Sequence, residues 1–229
     1  LDALGLGPSA RFAAETALCD LAARGTGRPL GAVLGSETPL APVPLQYLVP
    51  TTGLEEQLSA VRRASEAGFS AFKFKVGAPE SFEDELHAGL LIREEIGQQA
   101  LLRVDANQAF QPTEAAARLM ALVDLRPEFV EEPVAGGGFE ALDGTFLRVA
   151  ADETLQDEAR CEQILDQLLC QFVVLKPAAL GGLSRCLEIA RRAQESGIGV
   201  VISHTFDGPV GYRASVSLAQ AVGVASPMG

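Results

Sequence analysis

Charged residues stand at the carboxyl ends of several apolar runs in this sequence, and that placement restricts the fold more than any other feature. Seven short apolar runs alternate with segments of helical period along the 229 residues. The runs predict strands at residues 45–49, 71–76, 101–105, 129–132, 149–152, 172–176 and 199–203. Helices are predicted at residues 9–24, 53–67, 82–95, 112–123 and 181–196. This alternation predicts an α/β fold with a parallel sheet and right-handed crossover helices.

The charged ends favour a closed (β/α) TIM-like barrel over an open doubly wound sheet. Five of the seven runs end in charged residues, which cannot be buried without partners. An open sheet spreads its strand ends along a line at about 4.8 Å per strand, whereas a barrel gathers them on its catalytic face. The Gly-rich loop that usually follows the first strand of a dinucleotide-binding sheet is replaced by Pro-Thr-Thr-Gly at residues 50–53. We therefore predict one catalytic barrel domain over residues 1–229.

Composition excludes several classes of partner. The chain has 18 basic and 30 acidic side chains and a formal charge of −12, which a nucleic-acid backbone would repel. No apolar run reaches the roughly 18 residues that span a bilayer. Four cysteines without a C-x-x-C pairing indicate buried thiols in a reducing compartment. We expect a cytoplasmic protein whose partner is a small molecule rather than nucleic acid or a membrane.

Three carboxylates close consecutive predicted strands, namely Asp105, Glu131 and Asp152. A single such residue is most simply explained as a helix cap or as the partner of a lysine. Three in succession, flanked by lysines, favour a metal site instead. Hard oxygen ligands with room for water and substrate suit Mg²⁺ better than zinc, with Mn²⁺ as the alternative.

Lysines accompany these carboxylates. Lys73 and Lys75 are two residues apart on one strand and are expected to share a face, while Phe72 and Phe74 face the helices. Two close ammonium groups repel, so the pKa of at least one is expected to fall, which would suit a general base. Lys176 is expected to approach the same pocket from the sixth strand.

The order and spacing of five motifs resemble the enolase superfamily, in its muconate-lactonizing-enzyme subgroup. They are K-x-K at 73–75, D-A-N at 105–107, E-E-P at 131–133, A-D-E at 151–153 and L-K-P at 175–177. The resemblance implies that the three strand-end carboxylates bind Mg²⁺, and that Lys75 removes a proton α to a substrate carboxylate. Lys73 and Lys176 join it as catalytic residues, with Lys176 stabilising the enediolate. Beside the ligands, Asn107, Glu132 and Glu153 are expected to hold them in place.

The sixth strand and its loop most resemble those of o-succinylbenzoate synthases, the dehydratases of menaquinone biosynthesis. The alternatives are N-succinylamino-acid racemase, dipeptide epimerase and muconate cycloisomerase, which share the metal and the lysines. Substrate contacts are expected after the seventh strand, from Ser203, His204, Thr205 and Gly208. His204 has no aspartate partner on the sixth strand, where the mandelate-racemase subgroup would carry one. Superfamily members also have an N-terminal capping domain and an eighth strand, so we expect this chain to be incomplete at both ends.

Overall fold

The computed structural model describes residues 4–36, 41–77, 81–224 and 226–229. Packing divides the chain into two compact units. Residues 45–172 form the first, called here the central unit. Residues 1–44 and 173–229 form the second, called here the terminal unit.

Five parallel strands order the central unit. They are β1 (Tyr47–Leu48), β2 (Ala71–Lys75), β3 (Leu101–Asp105), β4 (Val130–Glu131) and β5 (Val149–Ala151). Each strand pairs with the next one in the chain. In this register Asp105 is the partner of Lys75 on one side and of Glu131 on the other. The carboxyl ends of neighbouring strands therefore meet at one edge, as the sequence predicts.

Four α-helices cover these strands in the described residues: α3 (Leu54–Glu66), α4 (Phe82–Ile96), α5 (Ala115–Ala121) and α6 (Glu158–Gln167). The start of α4 is fixed by Ser81, whose side chain accepts from the Asp84 N–H, and the helix ends at Gly97 with φ 73°. Helix α5 is shorter than the predicted 112–123, because Glu114 and Gln111 form a turn before it.

The charged side chain of Arg103 lies in the core and is only 1% exposed. Its guanidinium donates to Glu128 and to Gln46, at 2.7 Å each, and lies over the ring of Phe129. Buried charge requires such partners. Its register partner on β2 is Lys73, the residue whose side chain enters the candidate site.

The terminal unit contains α1 (Pro8–Thr26), α2 (Leu30–Val33), β6 (Phe172–Leu175, all but its first residue), α7 (Pro177–Leu180), α8 (Leu183–Glu195), β7 (Gly199–Ile202) and α9 (Pro209–Val222). The Ser203 N–H donates to the Leu175 carbonyl at 2.9 Å, which joins the ends of β6 and β7. The Glu15 carboxylate of α1 accepts from the first N–H groups of α8, at Leu183 and Ser184. A carboxylate at a helix N-terminus is favoured by the helix dipole.

Each of the seven predicted runs contains one of these strands, and the predicted α/β class with parallel strands is confirmed. In the part of the chain that the structure describes, no helix has both the length and the apolar character needed to cross a membrane. All four cysteines are free thiols, and three of them are buried.

Candidate active site

The carboxyl ends of β2, β3 and β4 bring one lysine and two carboxylates together. Lys73 Nζ lies 2.7 Å from Asp105 Oδ2 and 2.7 Å from Glu131 Oε1. All three side chains are buried, with residue exposures of 7%, 1% and 2%. The strand register explains this convergence, because Asp105 and Glu131 are direct partners and Lys73 precedes the β2 partner of Asp105 by two residues.

Burial and charge act against each other in this cluster. Burial lowers the pKa of Lys73, but Glu131 and Asp105 more than offset it, so the pKa lies above its ordinary value. Burial raises the pKa of Asp105 and the Glu131 carboxylate raises it further, while Lys73 acts in the opposite direction. Lys73 therefore does not show the lowered pKa that the sequence predicts for one lysine of the pair, because two carboxylates flank its ammonium group.

The second lysine of β2 lies in a more open position. The Lys75 side chain is 39% exposed, and its Nζ lies 3.9 Å from Asp105 Oδ2. Lys75 Nζ donates to Asn107 Oδ1 at 2.8 Å, and Asn107 Nδ2 donates to Glu153 Oε1 at 3.2 Å. A chain of hydrogen bonds thus runs from the end of β2 to the turn after β5. Lys75 is anchored by it but remains accessible to a small molecule.

Glu132 points away from this cluster and holds the turn after β5. Its residue exposure is 0%. Glu132 Oε2 accepts from the Asp152 N–H at 2.6 Å and from the Thr154 N–H at 3.3 Å, while Oε1 accepts from the Thr154 hydroxyl. Burial raises the pKa of Glu132, and the hydrogen bonds from Thr154 and Asp152 oppose that shift.

Left-handed backbone conformations are concentrated at these strand ends. Asn107, Gln108 and Glu132 have φ values of 43°, 63° and 41°. Residues other than glycine adopt this region at a cost, and such residues cluster at functional sites. The Gln108 N–H donates to the Glu132 carbonyl at 2.6 Å, so the two strained turns support each other.

The terminal unit carries the other predicted site residues. Lys176 follows β6 and precedes α7, and Gly208 precedes α9. The ring of His204 makes edge contacts with Phe206 and Tyr212, and its Nδ1 accepts from the Phe206 N–H at 3.0 Å. Burial lowers the pKa of His204, an effect that the Lys176 charge strengthens and that Asp207 opposes.

The rest of this loop combines buried and exposed positions. Ser203 is 5% exposed, whereas Phe206 is 85% exposed and has a φ of 55°. The exposed Thr205 hydroxyl donates to Asp207 Oδ1 at 3.0 Å. Four predicted substrate contacts therefore belong to one loop with an aromatic side chain at its tip.

Comparison with known proteins identifies the family. A family model described as "Enolase C-terminal domain-like" matches residues 56–228, which is most of the chain. The chain belongs to this enolase-like family. The resemblance drawn from the five motifs is thereby confirmed, and with it the (β/α) barrel type of fold.

Enolase-like relatives that are named for three different reactions match this chain at similar sequence identity. A chloromuconate cycloisomerase from Cupriavidus pinatubonensis is 30% identical over 215 residues, covering 92% of this chain and 58% of the relative. An o-succinylbenzoate synthase from Desulfotalea psychrophila is 30% identical over 215 residues, covering 90% and 57%. The crystal structure of the dipeptide epimerase from Cytophaga hutchinsonii, complexed with Mg and dipeptide D-Ala-L-Val, matches with a TM-score of 0.85 and 26% identity, covering 96% and 60%. The chain thus spans about three fifths of the length of these relatives.

The donor set can be tested for its fit to the magnesium ion that this enolase-like relative holds. The Lys73 ammonium serves as a stand-in cation, because Asp105 and Glu131 each place a carboxylate oxygen 2.7 Å from it. Carboxylate oxygens are the ligands that Mg²⁺ prefers. Among the described residues, however, no group of three His, Cys, Asp or Glu side chains lies close enough together to hold a metal ion. Asp105 and Glu131 fit a hard cation, and Asp152 as the third ligand stays a prediction.

Lysines are few in this chain, and all of them fall within the motifs described above. Lys73, Lys75 and Lys176 are the only lysines in the sequence, and the other 15 basic side chains are arginines. An arginine cannot lose its proton in a protein, whereas a lysine can. The side chains able to act as amine bases are therefore confined to the strand ends.

Two functional positions were not found by sequence reasoning. Thr154 binds Glu132, and Gln108 Oε1 accepts from the Gly136 N–H at 3.1 Å in the loop after β4. Thr154 lies next to the A-D-E motif and Gln108 next to the D-A-N motif, so adjacency is the signal that could have indicated both.

Proposed function

We propose that this chain is the catalytic part of an enzyme that removes a proton from the carbon α to a carboxylate in a small molecule. The observation that carries the proposal is the cluster at the ends of β2 to β4. In this cluster Asp105 and Glu131 converge on the ammonium group of Lys73, beside the accessible Lys75. Such a proton is too weakly acidic for a lysine unless the negative charge that develops is stabilised.

Asp105, Glu131 and Asp152 would hold Mg²⁺, or Mn²⁺ in its place. When bound, the ion would supply a positive charge to the carboxylate oxygens of the substrate as charge develops on them. Lys75 takes the proton on its neutral amine, because this side chain is exposed and oriented by Asn107. Lys176 contributes a second positive charge from the end of β6. Ser203, His204, Thr205 and the backbone before α9 at Gly208 bind the remote end of the substrate.

We infer that the reaction is the dehydration that forms o-succinylbenzoate in menaquinone biosynthesis. Lys75 Nζ accepts the α-proton, the electron pair moves into a new C=C bond, and the C–O bond to the β-hydroxyl breaks. The ammonium of Lys75 then returns the proton to the departing hydroxide, so that water leaves. A relative of this activity is 30% identical. The free thiols support a reducing, cytoplasmic setting.

Epimerisation of a dipeptide is the second candidate. It is favoured by the dipeptide epimerase that matches 96% of this chain. In this reaction one lysine removes the α-proton and the other returns a proton to the opposite face, so no C–O bond breaks. Both candidates share the first step and differ only in the fate of the intermediate.

Exchange of the α-proton with solvent deuterium tests the shared step. The protein is incubated in D₂O with Mg²⁺ and with either the o-succinylbenzoate precursor or an Ala-Glu dipeptide, and exchange is followed by NMR. We expect exchange with one of the two substrates and its loss with EDTA. Asp152→Asn is expected to abolish exchange, whereas Asp166→Asn, on α6, is the matched control. Full exchange in Asp152→Asn with excess EDTA would overturn the proposal.

The product distinguishes the two candidates. Formation of the aromatic product without deuterated dipeptide supports the dehydratase, and a deuterated dipeptide of inverted configuration supports the epimerase. Since only three lysines are present, NMR of protein labelled with ¹⁵N-lysine reports the site residues alone. A change in the Lys75 signal on addition of substrate would place the substrate next to this base.

A further inference from the structure

The carboxylate of Glu132 is buried, its hydrogen-bond donors are neutral, and the charge of Arg160 lies near enough to interact with it. Its three named partners are the Asp152 N–H, the Thr154 N–H and the Thr154 hydroxyl. Removing a charged group from water is expensive even when an opposite charge lies nearby. A turn that only had to be closed could use a neutral amide or hydroxyl at this position, so the carboxylate requires a further explanation.

The backbone of Glu132 joins three strand ends. Its N–H donates to the Ala150 carbonyl on β5 at 2.8 Å, and its carbonyl accepts from the Gln108 N–H after β3 at 2.6 Å. Its φ of 41° is left-handed. In extended backbone, consecutive side chains point to opposite faces, and the left-handed turn instead carries this carboxylate along the sheet edge to the residue after β5.

The environment of Thr154 is fitted to this contact. Thr154 is 9% exposed, and Gly137 lies against it so closely that a Cβ at Gly137 would collide with the Thr154 hydroxyl. Gly137 also has a left-handed φ of 68°, which only glycine adopts readily. The carbonyl of Gly137 is held in turn by Arg160 Nη2. The hydroxyl of Thr154 is therefore fixed from two sides.

We infer that Glu132 is a positioning residue: through the Asp152 N–H and Thr154 it fixes the turn after β5, so that the Asp152 side chain can bind a metal ion together with Asp105 and Glu131. This inference rests on the proposed metal site. The 2.6 Å contact with the Asp152 N–H connects Glu132 directly to the backbone of a predicted ligand on the next strand. Partners that orient metal ligands in this way typically account for about 10- to 100-fold in metal affinity.

The test measures Mn²⁺ binding to the substrate-free protein by titration calorimetry. Glu132→Gln is expected to weaken binding about 10- to 100-fold, because its amide N–H₂ would face one of the donors. Thr154→Val removes the hydroxyl and is expected to weaken binding, whereas Thr154→Ser keeps the hydroxyl and is expected to restore it. Glu95→Gln is the control, since Glu95 binds Arg62 at the surface of the same unit.

Thermal unfolding of each variant in EDTA separates positioning from general loss of fold. If Glu132→Gln does not fold, the Thr154→Val and Thr154→Ser pair still decides the question. Wild-type Mn²⁺ affinity in Glu132→Gln and in Thr154→Val, with Asp105→Asn unable to bind, would overturn the positioning role while leaving the metal site intact. Failure of the wild-type protein to bind Mn²⁺, or binding that survives Asp105→Asn, would overturn the metal site and the positioning role together.

Discussion

The central cluster and the loop after β7 differ in almost every physical respect. Lys73, Asp105 and Glu131 are buried and joined by two ion pairs, and their turns are fixed by further hydrogen bonds. The loop around His204 and Phe206 is partly exposed and carries an aromatic side chain at its tip. We propose a division of roles, in which the central cluster serves the proton transfer and the loop contacts the substrate.

The largest expected effect concerns Lys75, the proposed base beside the central cluster. Lys75→Ala is expected to lower the rate of α-proton exchange by about 10²- to 10⁴-fold, because general base catalysis contributes that much. Arg191→Ala, an exposed cation of α8, is the control and is expected to leave exchange unchanged. If exchange survives Lys75→Ala and is lost in Lys176→Ala, the roles of the two lysines are reversed.

The next effect is on stability. Lys73→Met removes the ammonium group that lies 2.7 Å from each of two buried carboxylates, and we expect the free energy of unfolding in EDTA to fall by about 3–5 kcal/mol. Arg62→Met, which breaks a surface ion pair with Glu95, is expected to cost about 1 kcal/mol or less. Urea denaturation of both variants gives the comparison. Equal losses would show that burial does not distinguish the cluster from the surface.

A smaller effect is expected in the loop. Phe206→Ala removes a ring that is 85% exposed, so stability is expected to change by no more than about 0.5 kcal/mol. The KM is expected to rise roughly 10-fold, equivalent to about 1.4 kcal/mol of lost ring contact, with kcat preserved. A fall in kcat at constant KM would place Phe206 in the chemical step and remove the proposed division.

The smallest effect concerns the protonation of His204. Its Nδ1 accepts a hydrogen bond, so the neutral ring is expected to carry its proton on Nε2. In a His87→Gln background His204 is the only histidine, and ¹⁵N NMR reports its tautomer directly. A signal from an Nδ1–H ring would contradict the loop geometry.

The pH dependence of stability follows from the same residue. Because burial lowers the folded-state pKa of His204, the unfolded chain binds the proton more readily. The contribution of His204 to the free energy of unfolding is fully present above the pKa of the unfolded chain. It is lost as the pH falls from there through the lower pKa of the folded state. His204→Gln is expected to flatten this small loss in urea denaturation curves measured across that interval. An unchanged slope would contradict the lowered pKa.

The sequence was sufficient for the positions of the strands and for the residues at their ends. Asp105 and Glu131 could be assigned to one edge because alternating apolar runs predict parallel strands, whose ends must meet. The position of Lys73 between the two carboxylates could not, because a strand pattern gives the face of a side chain and not its partners. The pKa of Lys73 is raised by these partners, so the direction of its shift could not be predicted either.

The turns were harder to predict than the strands. The left-handed φ of Glu132 has no signature in the sequence, since glutamate seldom adopts it. An ideal strand end would point Glu132 to the face opposite Glu131, so its contact with Thr154 could not be predicted. The conformation of the loop after β7 depends on ring contacts of His204 with Phe206 and Tyr212, which residue spacing does not specify.

The confinement of lysine to the strand ends has a practical consequence for anyone who handles this protein. Within these 229 residues, reagents that couple to primary amines, such as active esters used for surface attachment or fluorescent tagging, find side-chain targets only at the three strand-end lysines. Lys75, with a 39% exposed side chain, is more open to such a reagent than Lys73, at 9%. Attachment through side-chain amines would therefore modify the candidate site, and chemistry directed at the exposed arginines or at an added cysteine would leave these strand ends free.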